Sequence, residues 1–287
     1  MSEWFFTSDL HGQGALYEQL VALTATRRPR VVALGGDLAP HASGAEGVRR
    51  QRVFLEGFLV EFARRVREAS PETRLLLIMG NDDWAANSDV LEREHGGLWT
   101  LLHDRVDAVD GIPVAGLSWV PITPFAIKDW ERWEDGAEEH PVRLEGWVSR
   151  DGEVASFRFD PAARAPTIAG ALEGLAARAT AAETVFVLHS PPRDTCCDMI
   201  GARAHVGSRA IRAFLEQHGP PLALSGHIHE SPRISSSWHD RVGRTVVVNP
   251  GQFGTSRLCG VWFDPGHLAE TLRHTVYGGF ASGSTNP

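Results

Sequence analysis

Val31-Val-Ala-Leu34, followed at once by Gly35-Gly36-Asp37, is the stretch from which the fold is read. Four apolar residues in succession, without polar alternation, suit a strand covered on both faces. The same arrangement recurs. Trp4–Thr7 runs into Ser8-Asp9-Leu10-His11, and residues 75–79 run into Gly80-Asn81-Asp82-Asp83. Val185–Leu188 runs into His189-Ser190-Pro191-Pro192, and Leu222–Leu224 into Ser225-Gly226-His227-Ile228-His229. Helical patterns separate these runs. Residues 15–26 carry Leu16, Leu20 and Leu23; 48–69 carry Val53, Leu55, Phe58, Leu59, Phe62 and Val66; 168–182 are Ala-rich; and 208–218 carry Ile211, Phe214 and Leu215. Buried strands alternating with helices define an α/β fold.

The C-terminal third reads differently. Residues 245–248, 259–263 and 269–277 look like strands without long helices between them, which predicts a second, partly antiparallel sheet. Residues 118–159 break the rhythm with Trp119, Trp130, Trp133 and Trp147, prolines at 121, 124 and 141, and acids across 134–139. This reads as a Trp-rich cap inserted over the sheet edge, within a single domain spanning 1–277. Residues 278–287 are small and polar and read as a frayed tail.

With 287 residues, 43% of them hydrophobic, the chain can bury a large core. Lys and Arg number 28 against 36 Asp and Glu, a net charge of −8. That balance argues against nucleic acid as a partner, because backbone binding relies on Lys and Arg. Arginines at 27, 28, 30, 49, 50, 52, 64, 65 and 67 fall mostly on helical patterns, where a solvated face is expected. Three cysteines, two of them adjacent at 196 and 197, form no disulfide framework and suit a reducing interior. The N-terminus has no signal-peptide pattern, and no run is long and apolar enough to cross a membrane. The expectation is a soluble cytoplasmic protein.

Ligands of open α/β sheets bind beyond the carboxyl ends of the strands. Five such ends offer Asp9, His11, Asp37, Asn81, His189, His227 and His229, all oxygen or imidazole donors. In extended chain, residues two apart point to one side, so Asp9 with His11, and His227 with His229, can each aim two donors at one place. Glycines at 35, 36, 80 and 226 allow sharp turns there. Nitrogen and oxygen donors suit Mn, Fe, Co, Ni or Zn. Calcium alone is a poor match for four histidines.

Asp-x-His, Gly-Asp, Gly-Asn-x-Asp, His and Gly-His-x-His, in that order from residue 9 to 229, resemble the calcineurin-like metallophosphoesterases. The resemblance implies two mixed β-sheets packed as a sandwich flanked by helices, a four-layer αββα fold. It implies a hydrolase of phosphoric esters that uses two divalent metal ions, manganese first; the acidic charge favours small phosphodiesters or nucleotides as substrates, the alternatives being a metal-dependent nuclease, a phosphomonoesterase or protein phosphatase, or a non-catalytic scaffold. Asp9, His11, Asp37 and His229 would hold one ion. Asp37 would bridge to a second, held also by Asn81, His189 and His227. Two such ions lie about 3.5–4 Å apart, and a hydroxide they share would attack phosphorus in line. The stretch from His205-Val206-Gly207-Ser208 onward and Asn249-Pro250-Gly251 also resemble the family.

One motif departs. The family reads Gly-Asn-His-Asp or Gly-Asn-His-Glu where this chain has Gly80-Asn81-Asp82-Asp83, and the Asp that orients that His is replaced by Pro40. Asp82 then has three readings: a general acid with raised pKa, a carboxylate that repels phosphomonoester dianions and favours diesters, or the cap of a helix after Trp84. His41 either replaces the missing imidazole or is a surface loop residue. Arg193 either grips phosphate or is an exposed loop arginine. The tryptophans of 119–133 either stack a flat leaving group under a lid or simply pack.

Overall fold

The computed structural model describes residues 2–135, 143–252 and 254–279. Part of the acidic run at 134–139, and residues 280–287 of the expected tail, lie outside them. Its first half comprises β1 (Trp4–Thr7), α1 (Gly14–Arg27), β2 (Val31–Leu34), α2 (Gly44–Val53), α3 (Val60–Ala69), β3 (Arg74–Leu77), α4 (Ser88–Arg93), β4 (Thr100–Leu101), β5 (Arg105–Val109) and β6 (Ile112–Leu117). Then come β7 (Glu145–Arg150), β8 (Glu153–Arg158), α5 (Ile168–Ala176), β9 (Val185–Leu188), β10 (Met199–Ile200), β11 (Ala204–His205), α6 (Arg209–His218) and β12 (Leu222–Leu224). The chain continues with α7 (Ser231–Ser235), β13 (His239–Val242), β14 (Thr245–Val248), β15 (Val261–Phe263), α8 (Leu268–Thr271), β16 (Arg273–His274) and β17 (Gly278–Gly279).

Two large mixed sheets face each other. One runs β17-β16-β15-β1-β2-β3-β4, the other β13-β14-β12-β9-β6-β5. β1, β2 and β3 are parallel, as are β6, β9, β12 and β14, while β15 pairs antiparallel with β1 and the edge strand β13 antiparallel with β14. Side-chain alternation explains the unbroken apolar runs. Trp4 and Phe6 of β1 point between the sheets with Val31, Leu76, Val187 and Leu224. Phe5, between them in sequence, faces α1 and α3 with Leu16, Leu20 and Phe62. On the far side, Phe186 and Ala223 pack against Leu172 of α5 and Phe214 of α6. Helices, sheet, sheet and helices make the four-layer αββα sandwich. Each inner strand is apolar on both faces because each separates two cores.

Four local expectations are corrected. The helix over 48–69 contains a π-helical segment, Phe54–Leu59, joining α2 to α3. The extra residue per turn rotates the apolar face, so Val53 is 72% exposed although the pattern places it inward. The C-terminal strands do not form one sheet: β14 adds parallel to β12, whereas β15 adds antiparallel to β1. Residues 269–277 hold the short helix α8 before β16 rather than one strand. Gly278–Gly279, the start of the expected tail, pairs with Arg273–His274.

Within 118–159, β7 and β8 form their own two-stranded ribbon. Trp130 and Trp133 are buried, and Trp130 Nε1 donates to the Asp83 carbonyl at 2.6 Å. Asp129 accepts from Ala85 N, and Glu134 accepts from Ser208 Oγ and Ala210 N at the start of α6. The segment is thus tied at two places to the loops that follow the parallel strands. Of its tryptophans, only Trp147 is largely exposed.

His274 anchors the C-terminal strands. Its Nε2 bonds the Pro250 carbonyl at 2.9 Å, and Nδ1 accepts from Val276 N and Tyr277 N. Burial pushes its pKa down to about 4. The folded state therefore holds the neutral ring, while the unfolded chain takes up a proton near the ordinary value of 6.5. Stability carried by this group is present above pH 6.5 and lost as pH falls toward 4. In thermal melts, wild type should lose about 2 kcal/mol more between pH 6.5 and 4.5 than His274→Asn. Equal pH slopes in the two proteins would contradict this.

Candidate metal centre

The carboxyl ends of β1, β2 and β3 in one sheet, and of β9 and β12 in the other, open on the same end of the sandwich. Their loops remain hydrogen-bonded beyond the strands. Asp9 N donates to Gly36 O, His11 N to Asp37 O, and Gly226 N to His189 O. The loops therefore lie side by side and bring their side chains to one point.

Asp9, His11, Asp37 and His229 place one ligand atom each within 4.8 Å of one another. His229 Nε2 lies 3.2 Å from Asp9 Oδ1 and 3.2 Å from His11 Nε2. Asp37 Oδ2 adjoins both flanks: 3.7 Å from His11 Nε2 and 3.5 Å from His189 Nε2. His189 Nε2 is also 3.0 Å from Asn81 Oδ1. Its Nδ1 donates to the Gly35 carbonyl at 2.7 Å, leaving Nε2 turned to the cluster. A second ring nitrogen held by a carbonyl is how metal-ligating imidazoles are oriented. The His227 ring is 5.2 Å from that of His189, and His227 N donates to both Asp9 oxygens at 3.0 and 3.1 Å. His189 and Asn81 thus flank the four-residue cluster by their side chains, and His227 by its backbone N–H.

The donor set fits a cation. Asp9 and Asp37 are 1% and 2% exposed, and isolated carboxylates are not tolerated at such depth without compensating charge. Burial opposes ionisation of both, yet His229 holds Asp9 and His189 holds Asp37 below the ordinary carboxylate range. Burial likewise opposes charge on His189 and His229, but the carboxylates outweigh it and push each up to about 9. Burial and the charge of His189 push His227 down to about 3. The pocket holds negative charge that draws in whatever positive charge is available, which divalent ions supply on O and N donors.

The backbone is strained where the donors sit. Asp9, His11, Asp37 and His227 all have positive φ, at 61°, 44°, 50° and 65°. Non-glycine residues rarely adopt this region, at a cost on the order of 1 kcal/mol each, and such strain gathers at functional sites. Two glycines serve a different need from the expected turn freedom. A Cβ on Gly80 would meet Asp37 Oδ1 at 2.2 Å, and one on Gly226 would meet Asp9 Oδ2 at 2.3 Å. Bare backbone lets neighbouring loops close on the carboxylates.

The remaining candidates divide. Asp82 and His41 pair with each other, Nδ1 to Oδ2 at 2.7 Å, at the cluster's edge, and Asp82 Oδ2 lies 3.5 Å from His11 Nδ1. Burial and then the Asp37 charge raise the pKa of Asp82. The cap reading for Asp82 gives way to this pairing: the bonding falls to Asp83, the last residue of the Gly-Asn-x-Asp motif, to which the sequence reading gave no role. Asp83 is fully buried and accepts from Leu38 N, Ala39 N and Gly80 N, locking the β2 loop to the β3 loop. Burial and the Asp37 charge push it up to about 7. Arg193 runs instead to Asp194, Nε to Oδ1 at 3.8 Å, with its side chain 40% exposed, and bonds none of the seven donors among the described residues. Asn249, another unassigned residue, donates through Nδ2 to the carbonyls of Cys197, Gly226 and Ile228, fixing the His227 loop from behind.

The chain belongs to the calcineurin-like phosphoesterases, whose family model matches residues 5–231. It is accordingly a metal-dependent hydrolase of phosphoric esters. One crystal structure superposes with a TM-score of 0.65 at 14% identity, covering 96% of this chain and 99% of the other. The protein TT1561 of Thermus thermophilus superposes at 0.57 with 18% identity and coverages of 96% and 99%. A dimetal phosphatase from Danio rerio does so at 0.54 with 12% identity, covering 91% and 92%. At these identities the likeness is one of fold. No curated protein matches the chain. No helix among the described residues is long and apolar enough to cross a membrane.

Gly80→Ala should push Asp37 off its place. Calorimetric titration with Mn²⁺ should show affinity reduced about 10- to 100-fold, as when orienting groups around ligands are lost. An unchanged dissociation constant would mean that Asp37 holds no metal.

Proposed function

We propose that the protein hydrolyses small phosphodiesters or nucleotide-type phosphoesters at a centre of two divalent ions. The observation that carries this reading is the Asp37 carboxylate, with imidazoles at 3.7 Å on one side and 3.5 Å on the other. Asp9, His11, Asp37 and His229 hold the first ion; Asp37, Asn81, His189 and His227 hold the second. Bound there, the ions activate water as the nucleophile and neutralise charge on the phosphoryl oxygens. Manganese is the first choice of metal, with Fe, Zn, Co and Ni as compatible alternatives.

The chain's own groups supply the rest. Gly35 O orients His189 through its bonded ring nitrogen. Asp82 pairs with His41 Nδ1 at the cluster's edge, and Nε2 of the exposed His41 ring is not used in that contact. The imidazole and carboxylate absent from the expected positions are thus present in exchanged order, four residues after Asp37 and one after Asn81. In this reading His41 Nε2 gives a proton to the leaving oxygen, and Asp82 positions it. The Asp82 carboxylate beside Asp37 also places negative charge where a monoester dianion would sit, which favours the singly charged diester.

A small substrate rather than nucleic acid suits the surface. Among the arginines of the helical face, Arg27, Arg30, Arg49, Arg52 and Arg65 are paired with Glu3, Asp110, Glu46, Asp89 and Glu18. Such paired charges do not make a free basic strip. The three cysteines are unpaired, in keeping with a cytoplasmic setting.

Two outcomes test the site. Asp37→Asn should cost at least about 100-fold in metal-dependent turnover of a generic diester and reduce the bound metal below two per chain; full activity with two ions would refute the assignment. His41→Ala and Asp82→Asn should each cost roughly 100-fold on alkyl leaving groups and little on 4-nitrophenolate, which leaves without a proton. Equal losses on both ester types would remove His41 from the proton path.

A further inference from the structure

Within 119–134 Phe125 stands out because the three tryptophans there are covered; the exposed Trp147 lies on the β7–β8 ribbon. Trp130 and Trp133 are 7% and 3% exposed, and Trp119 packs against His103 and under the Arg132 guanidinium. Those indoles offer no open face beside the cluster. Phe125 is 53% exposed, and its ring stands perpendicular to His227 with centroids 6.4 Å apart. A half-open phenyl beside an expected metal ligand is an apolar surface at the mouth of the site.

The turn that carries it is unusually well fixed. Phe125 N donates to Thr123 Oγ1 at 3.0 Å. The Thr123 hydroxyl donates to Glu131, and Thr123 N donates to Glu131 Oε2 at 3.1 Å. Lys128 Nζ donates to Thr123 O at 2.8 Å and meets Glu131 Oε2 at 2.6 Å. On the other flank Trp147 N donates to Ala126 O, and Lys128 N to Trp147 O, both at 2.8 Å. The Lys128 and Glu131 side chains are 0% and 1% exposed. A buried ion pair gives little net stability over apolar packing; what it provides is geometry. Here it fixes a turn whose outermost group is an exposed ring, so the ring loses little further freedom when something packs on it.

We propose that Phe125 is the specificity wall of the phosphoester site, packing against the organic group on phosphorus and selecting esters that present a flat apolar face, aryl or nucleobase-bearing, over small alkyl ones. This rests on the function proposed above. The wall needs no charge, so the selected feature is the shape and apolarity of the ester group rather than its ionisation.

The test is binding of two non-hydrolysable probes to the Mn²⁺-supplied protein by calorimetry: phenylphosphonate and methylphosphonate, both as their monomethyl esters, which carry the single charge of a diester, with wild type, Phe125→Ala, Phe125→Leu and Phe125→Trp. Wild type should bind phenylphosphonate roughly three- to tenfold tighter than methylphosphonate, the range expected of one aromatic contact. Phe125→Ala should abolish that preference while leaving methylphosphonate affinity unchanged, Phe125→Leu should keep part of it, and Phe125→Trp should keep it in full. An undiminished preference in Phe125→Ala, or none in wild type, overturns the assignment of Phe125 and leaves the phosphoester site standing. Binding of neither phosphonate by wild type overturns both.

Discussion

The structure depends on one electrostatic constraint: two carboxylates, Asp9 and Asp37, are buried at the end of a sandwich whose strands are otherwise apolar. Such charges are stable only where positive charge faces them. The imidazoles of His189 and His229 face them from the second sheet, which is why the two halves of the chain must close on each other at that end. The double-faced apolar strands bring the sheets together; the carboxylates determine what happens at their rim.

Several features that look separate follow from this closure. The positive φ at Asp9, His11, Asp37 and His227 turns each side chain inward at the moment its strand stops. Gly80 and Gly226 are bare because a carboxylate oxygen occupies the space a Cβ would need. Asp83 and Asn249 bond backbone rather than facing the cluster, and hold the β3 and β12 loops at the spacing the donors require. The segment from Trp119 to Glu134 is tied down by Trp130, Asp129 and Glu134 at both sides of the opening. That leaves Phe125 as its free tip.

Much of this was legible in the sequence, for physical reasons. A strand buried on both faces can carry no polar alternation, so its run is continuous and its end is marked by the first polar residue. The donors sit at those ends, and their order along the chain is the order of the strands. Other features were not legible. The π-helical segment at Phe54–Leu59 leaves no compositional mark, yet it reverses the burial of Val53. β14 and β15 look alike as apolar runs but join different sheets, a choice made by tertiary pairing. His41 and Asp82 are 41 residues apart and meet because Asp83 locks their two loops together and Gln51 Nε2 bonds the carbonyls of both Pro40 and Asp82. The sequence suggested stacking indoles, but burial took most of them into the core and left the exposed role to a phenylalanine that no pattern distinguished.

The most direct test is anomalous X-ray diffraction from crystals grown with Mn²⁺. Two peaks should flank the Asp37 carboxylate, one in coordination range of Asp9, His11 and His229, the other of Asn81, His189 and His227. Peaks elsewhere on the molecule, or none at this end of the sandwich, would contradict the account.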